Sequence, residues 1–167
     1  MTNSIKTYKD LVDRVSSFRI DQNIDLSSGE DLSIGLMNLI SIEEHLFFTA
    51  QKLKSKKYTD LLNEVRLMRT ELMRDIVKDP EGEVWCISKH LLASSMRVME
   101  VGTKELKKGN KNKAEELFEK SYKLYSLFWG LNLSGDNKAS KLKRPEDKSV
   151  FSKLGDIVQN AIDCCRE

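Results

Sequence analysis

The feature that most constrains the fold is the spacing of apolar residues, which recur every three or four positions through most of the chain. This period matches one face of an α-helix. No alternating run of Val, Ile or Thr is bounded by turn residues, as a β-strand would require. Only 2 prolines and 8 glycines interrupt the 167 residues, which favours long helices. The sequence therefore predicts an all-α protein.

Six segments carry the helical period, and four long ones occupy the centre of the chain. The four central helices are placed at residues 31–54, 58–77, 83–108 and 111–132. Their connections are short, and short connections make successive helices antiparallel neighbours. We therefore predict an antiparallel up-down four-helix bundle, with additional N- and C-terminal helices at residues 5–18 and 149–165.

Each central helix has an apolar stripe that we expect to face the core. The stripe of the first includes Phe47 and Leu53, and that of the second includes Leu61 and Met68. In the third helix the inward face extends as far as Leu106. A bundle with these stripes would be apolar along its whole length.

The chain is long enough to bury the core of one domain, so residues 1–167 are interpreted as a single helical domain. Two polar segments interrupt the helical pattern. Residues 21–30 form an acidic, Ser-rich connector, and residues 134–148 form a basic connector that we expect to be flexible.

The expected cellular location follows from the lack of membrane-span and signal patterns in the sequence. No apolar run reaches the roughly 18 residues that a membrane span requires, and the N-terminus has no secretory signal pattern. The three cysteines, two of them adjacent at Cys164 and Cys165, make a poor disulfide framework. A cytoplasmic protein without a membrane span is expected.

The third and fourth helices share a pattern of small and aromatic residues. Its members are Gly102, Gly109, Ala114, Phe118 and Ser121, at separations of 7, 5, 4 and 3. This spacing resembles one tetratricopeptide unit over about Ser95 to Phe128, although Leu127-Phe128 stands near the family's usual proline. The resemblance implies a helical hairpin that binds a peptide or protein. Alternatively, any tight pair of antiparallel helices converges on such a spacing.

The stretch EVWCISKH begins the third helix and contains reactive side chains. Cys86 and His90 are four residues apart, and Glu83 lies one turn before Cys86, so all three share a ridge. They could contribute to a metal site, but zinc would need a further ligand or a water. The alternative is a polar face with no special chemistry. A Cys–His catalytic pair would also need an oxyanion stabiliser, for which no loop is evident.

Two charged residues interrupt the apolar stripes of the first hairpin. Glu43 and Arg69 each lie 13 residues from Lys56 at the centre of the turn, so an antiparallel hairpin puts them at the same level. We predict that they pair inside the bundle or at its rim. The pair could fix the register of the helices, or it could belong to a polar pocket at mid-bundle.

Lysines concentrate in two of the turns, which an up-down bundle brings to one end. They are Lys52, Lys54, Lys56, Lys57, Lys104, Lys107, Lys108, Lys111 and Lys113. Such a basic surface attracts nucleic acid, anionic lipid or an acidic protein. It is also the ordinary composition of solvated turns. Tyr58 is the one aromatic among them, which gives base stacking little support.

These features favour a non-enzymatic helical binding protein, an interaction module or adaptor for a protein partner. The first alternative is a nucleic-acid or polyanion binder that uses the lysines. The second is a metal-binding or enzymatic bundle that uses Glu83, Cys86 and His90. No cofactor is expected, and a homo-oligomer is compatible with the pattern.

Overall fold

The computed structural model describes residues 27–78 and 82–133 of the chain. These residues form four helices: α1 (Ser27–Leu53), α2 (Lys56–Ile76), α3 (Glu83–Lys107) and α4 (Lys111–Leu133). Because this part of the chain contains no β-strand, the all-α prediction is confirmed for it. The predicted terminal helices, the 134–148 connector and most of the 21–30 connector lie outside the described residues.

The first helix begins four residues earlier than predicted, at Ser27. A Cβ atom on Gly29 would lie 3.1 Å from Cη2 of Trp129, so the start of α1 contacts the tip of this α4 side chain. The Ser33 hydroxyl donates to the carbonyl of Glu30 at 2.7 Å and lies 2.6 Å from the Tyr125 hydroxyl. This packing against α4 holds a polar segment in helical form, which local composition does not reveal.

The helices associate as two hairpins. Extensive contacts join α1 to α2 and α3 to α4, and a smaller contact joins α1 to α3. Within the described residues α2 and α3 share no extensive contact. The all-helical architecture is thus established here, while the up-down bundle with terminal helices stays a prediction.

The two turns reverse the chain in different ways. In the α3–α4 turn, Gly109 has φ +85°, and its N–H bonds to the Leu106 carbonyl at 3.0 Å. The N–H of Asn110 bonds to the Glu105 carbonyl at 3.0 Å, which completes a Schellman end. In the α1–α2 turn the left-handed position is Lys54, with φ 51°. A lysine there is less favourable than glycine, because its Cβ is crowded.

Both turns lie at one end of the molecule. The start of α3 lies opposite the end of α4, where Asn132 Nδ2 donates to Ser88 Oγ at 2.9 Å. The start of α1 contacts the same end of α4, as described above, and farther along Arg97 of α3 pairs with Glu44 of α1. Helices α1 and α3 therefore run in the same direction. We call residues 42–64 and 97–120 the turn end, and the remaining described residues the packed end.

Within residues 27–78 and 82–133, the large apolar side chains that are buried all lie at the packed end. They are Leu36, Met37, Met73, Val77, Val84, Leu91, Leu92, Phe128, Trp129 and Leu131. At the turn end, Ala50 and Ala114 are the buried hydrophobic residues among those the structure describes. The four helices consequently share a substantial core at one end only.

This asymmetry corrects the predicted stripes. Phe47, Leu53 and Leu106 are about half exposed, although the periodicity placed them inward. On α2, Met68 is 53% exposed, whereas Arg69 is buried. Periodicity identifies the helix correctly but does not determine which part of its stripe has a neighbour to pack against.

Candidate functional site

All nine lysines of the two turns are exposed. Lys108 Nζ lies 2.7 Å from Glu105 Oε1, and Lys113 Nζ lies 2.8 Å from Glu116 Oε2. The other seven form no ion pair with residues in the described ranges. Their charges are therefore available to a partner.

Exposed apolar side chains lie among these lysines. Twelve large hydrophobic residues are exposed in the part of the chain that the structure describes. Eight of them belong to the turn end: Ile42, Phe47, Phe48, Leu53, Leu61, Met99, Val101 and Leu106. The rings of Phe47 and Phe48 contact each other edge to face, with centroids 5.3 Å apart. A mixed basic and apolar surface results.

Lysines and apolar residues lie close together in sequence along these helices. Leu106 stands between Lys104 and Lys107. Phe48 precedes Lys52 by four residues, and such pairs are neighbours on a helix surface. A ligand that contacts the lysines here would also contact apolar side chains.

Two carboxylates of the second hairpin take part in this electrostatic environment. Hydrogen bonds from Lys113 and Lys120 lower the pKa of Glu116 to about 2. Hydrogen bonds from Lys108 and Asn110 lower the pKa of Glu105. Both carboxylates stay ionised at neutral pH and offset part of the local positive charge.

Glu43 and Arg69 lie together at the middle of the first hairpin. Arg69 Nε donates to Glu43 Oε1 at 2.7 Å, and Nη2 lies 3.4 Å from Oε2. The side chain of Arg69 is 3% exposed and that of Glu43 is 16% exposed. A forked guanidinium–carboxylate pair at this depth links α1 to α2 at one register.

The Glu83, Cys86 and His90 side chains are all exposed. Neither they nor other His, Cys, Asp and Glu residues in the described ranges form a group of three or more that could hold a metal ion. Within the same stretch, Val84 is buried and Trp85 and Ile87 are partly buried against the core. The ridge carries reactive atoms without a preformed ligand set.

The tetratricopeptide-like residues lie where α3 and α4 approach most closely. A Cβ atom on Gly102 would come within 2.6 Å of Cε1 of Phe118. Ser121 Oγ donates to the Ser95 carbonyl at 2.7 Å, and Ser95 Oγ donates to the Ser121 carbonyl at 3.0 Å. Ala114 is fully buried. Close helix approach therefore accounts for Gly102, Ala114 and Ser121, whereas the left-handed turn accounts for Gly109.

One polar contact escaped the sequence reasoning. Tyr125 and Ser33 come from α4 and α1, which are far apart in the chain, so no local spacing could have indicated their hydrogen bond. Burial raises the pKa of the Tyr125 phenol, and the bond to Ser33 opposes that rise. The exposed apolar residues of the turn end also escaped notice, because a helical stripe looks the same whether or not it is covered.

None of the helices in the described ranges is both long enough and apolar enough to cross a membrane. In comparisons with known proteins, no family model, no curated protein and no solved structure matches the chain significantly.

Proposed function

We propose that the protein is a non-enzymatic helical interaction module whose turn end binds a protein partner. The observation that carries the proposal is the asymmetry of burial. Among the described residues, the large apolar side chains that are buried lie at the packed end, whereas eight of the twelve that are exposed lie at the turn end. Exposed apolar surface rimmed by polar residues is typical of protein-interaction sites. The proposal includes the up-down bundle arrangement, the cytoplasmic location and the tetratricopeptide-like character of α3 and α4.

The second candidate is a polyanion binder, and the exposure of all nine lysines favours it. Acidic residues weaken this alternative. Residues 52–64 and 100–116 contain nine lysines and six acidic residues, a net charge of +3. Nucleic acid and anionic lipid surfaces respond mainly to the summed positive charge. Nucleic acid also gains little from an exposed Leu53 or Leu106.

The third candidate, a metal-binding or enzymatic bundle, has the weakest support. Its three residues lie on an exposed ridge, and no group of three metal-capable side chains occurs in residues 27–78 and 82–133. An interaction module requires neither a metal nor a catalytic group from this ridge.

A capture experiment with matched surface variants tests the proposal. The full chain and its Leu106→Ser and Ile34→Ser variants serve as bait in nuclease-treated lysate. Leu106 and Ile34 are 48% and 46% exposed, but Ile34 lies at the packed end. We expect a protein that the parent and Ile34→Ser retain and that Leu106→Ser loses by about tenfold or more.

Circular dichroism confirms that each bait is folded before capture. If every captured protein is retained equally by the three baits, the turn end is not an interaction surface. If retention disappears after nuclease treatment, the bridging molecule is a nucleic acid and the second candidate replaces the first.

A further inference from the structure

The composition of the turn end specifies the chemistry of a partner more closely than its apolar exposure alone. Lysines and apolar residues alternate there within one helical turn of each other, as in Lys52-Leu53-Lys54 and in Lys104 to Lys107. A complementary ligand must offer carboxylates and apolar side chains at the same short spacing. An amphipathic acidic helix does so, since its apolar stripe is flanked by charged positions.

We propose that the turn end binds an acidic amphipathic helix of a partner protein. The apolar stripe of that helix covers residues such as Phe48, Leu53 and Leu106, and its carboxylates pair with the surrounding lysines. Charge complementarity selects this occupant, because seven lysines have no ion-pair partner among residues that the structure describes. The inference rests on the proposed function and adds the class of partner.

The α1–α2 turn gives independent support. Its left-handed position holds Lys54, with φ 51°, whereas the equivalent position of the α3–α4 turn holds Gly109, with φ +85°. Glycine would relieve the strain at position 54. Strained positions cluster where function requires a particular side chain. In the proposed complex, Lys54 supplies one of the charges that meet the partner's carboxylates.

The test uses the full chain and a labelled synthetic peptide of about 18 residues, long enough to form an isolated helix. The peptide has Leu at helical spacing and Glu on the flanks. Its control is an isomer with the same composition and a scrambled order, which has no apolar stripe. Fluorescence anisotropy should give an affinity for the amphipathic peptide about tenfold or more above that for the isomer.

Variants of the protein locate the binding surface. The Lys54→Glu/Lys107→Glu double variant should weaken binding by about tenfold or more, whereas Lys78→Glu, an exposed lysine at the packed end, should leave it unchanged. Lys54→Gly should raise the melting temperature and still weaken binding. A purely structural role for Lys54 would not separate those two effects.

Several results would overturn the inference. Equal binding of the peptide and its isomer would show that the interaction depends on net charge alone and not on an apolar stripe. Tighter binding of a single-stranded oligonucleotide or of phosphatidylserine vesicles would assign the surface to a polyanion. Tighter binding of a peptide that spans residues 149–165 would assign it to the chain itself, and concentration-dependent self-association abolished by Leu106→Ser would assign it to a second copy.

Failure of the inference and failure of the proposed function are distinguishable. If the acidic peptide does not bind but capture still yields a protein that depends on Leu106, only the partner class is wrong. If capture yields no such protein, the interaction module itself is wrong.

Discussion

The packed end and the turn end are built from the same four helices, yet they differ in what fills the space between helices. At the packed end the space holds Leu, Met, Phe and Trp side chains that are almost fully buried. At the turn end the buried hydrophobic residues of the described ranges are Ala50 and Ala114, and eight large apolar side chains face outward. The burial of large apolar side chains is therefore concentrated at one end.

The difference separates two uses of hydrophobic residues. Burial at the packed end removes apolar area from water during folding and stabilises the protein directly. The same residue types at the turn end leave that area in water, where only association could bury it. The comparison thus predicts that equal substitutions have unequal effects on stability at the two ends.

The largest expected effect comes from equal truncations on the same helix. Leu92 of α3 is fully buried at the packed end, and Leu106 of α3 is 48% exposed at the turn end. Leu92→Ala leaves a cavity, so we expect a loss of about 2–5 kcal/mol in the free energy of unfolding. Leu106→Ala should change it by only about 0.5 kcal/mol. Urea denaturation measures both, and equal losses would remove the distinction between the ends.

A second comparison sets two ion pairs of α1 against each other. Arg69→Ala leaves the Glu43 carboxylate, which is 16% exposed, without its partner, and about 2–3 kcal/mol of unfolding free energy should be lost. Arg97→Ala breaks a pair whose side chains are 52% and 46% exposed, so the loss should stay below about 1 kcal/mol. Denaturation of both variants checks the difference.

The Glu43→Leu/Arg69→Met double variant serves as the control for this pair. If the cost of Arg69→Ala comes from an unpaired buried charge, replacing both charges with apolar residues should recover most of it. An Arg69→Ala protein as stable as the parent would show that Glu43 is well solvated without its partner.

Contacts within a single hairpin are the part of the structure that the sequence predicts best. The position of Glu43 opposite Arg69 followed from counting residues outward from the turn, because both helices of the hairpin rise by the same distance per residue. The small residues Gly102 and Ala114 followed from a spacing that close helix approach requires. Both inferences depend on local geometry within one hairpin, which the sequence encodes directly.

Contacts between the two hairpins could not be predicted in this way, because they join residues that are far apart in the chain. The extension of α1 to Ser27 depends on Trp129, about a hundred residues later in the chain. The exposure of Phe47 and Leu53 depends on how far α1 and α3 remain in contact, which periodicity does not specify. The proposed binding surface is therefore visible only in the structure, as an uncovered part of correctly predicted helices.

A third prediction concerns close helix packing within the second hairpin. A Cβ on Gly102 would lie 2.6 Å from Cε1 of Phe118, so Gly102→Ala should cost about 1–3 kcal/mol through overpacking. A Cβ on Gly35 of α1 would contact no atom of another element within 4 Å, so Gly35→Ala should gain about 0.5–1 kcal/mol from helix propensity. Thermal unfolding of both variants shows whether each substitution lowers or raises the stability of the protein. A gain for Gly102→Ala would mean that the Phe118 ring moves aside freely.

The smallest effect is an electrostatic one at the turn end. Hydrogen bonds from Lys113 and Lys120 lower the pKa of Glu116 from 4.5 to about 2. A carboxyl with a lowered pKa in the folded state contributes stability that is fully present above pH 4.5 and is lost as the pH falls toward 2. Because these side chains are exposed, the contribution is small and weakens with added salt.

An NMR titration of the Glu116 carboxyl measures this shift directly. We expect a pKa below the ordinary value in the parent and a rise toward 4.5 in Lys113→Ala and in Lys120→Ala. A Glu116 pKa that neither substitution moves would mean that both lysines are extended into solvent.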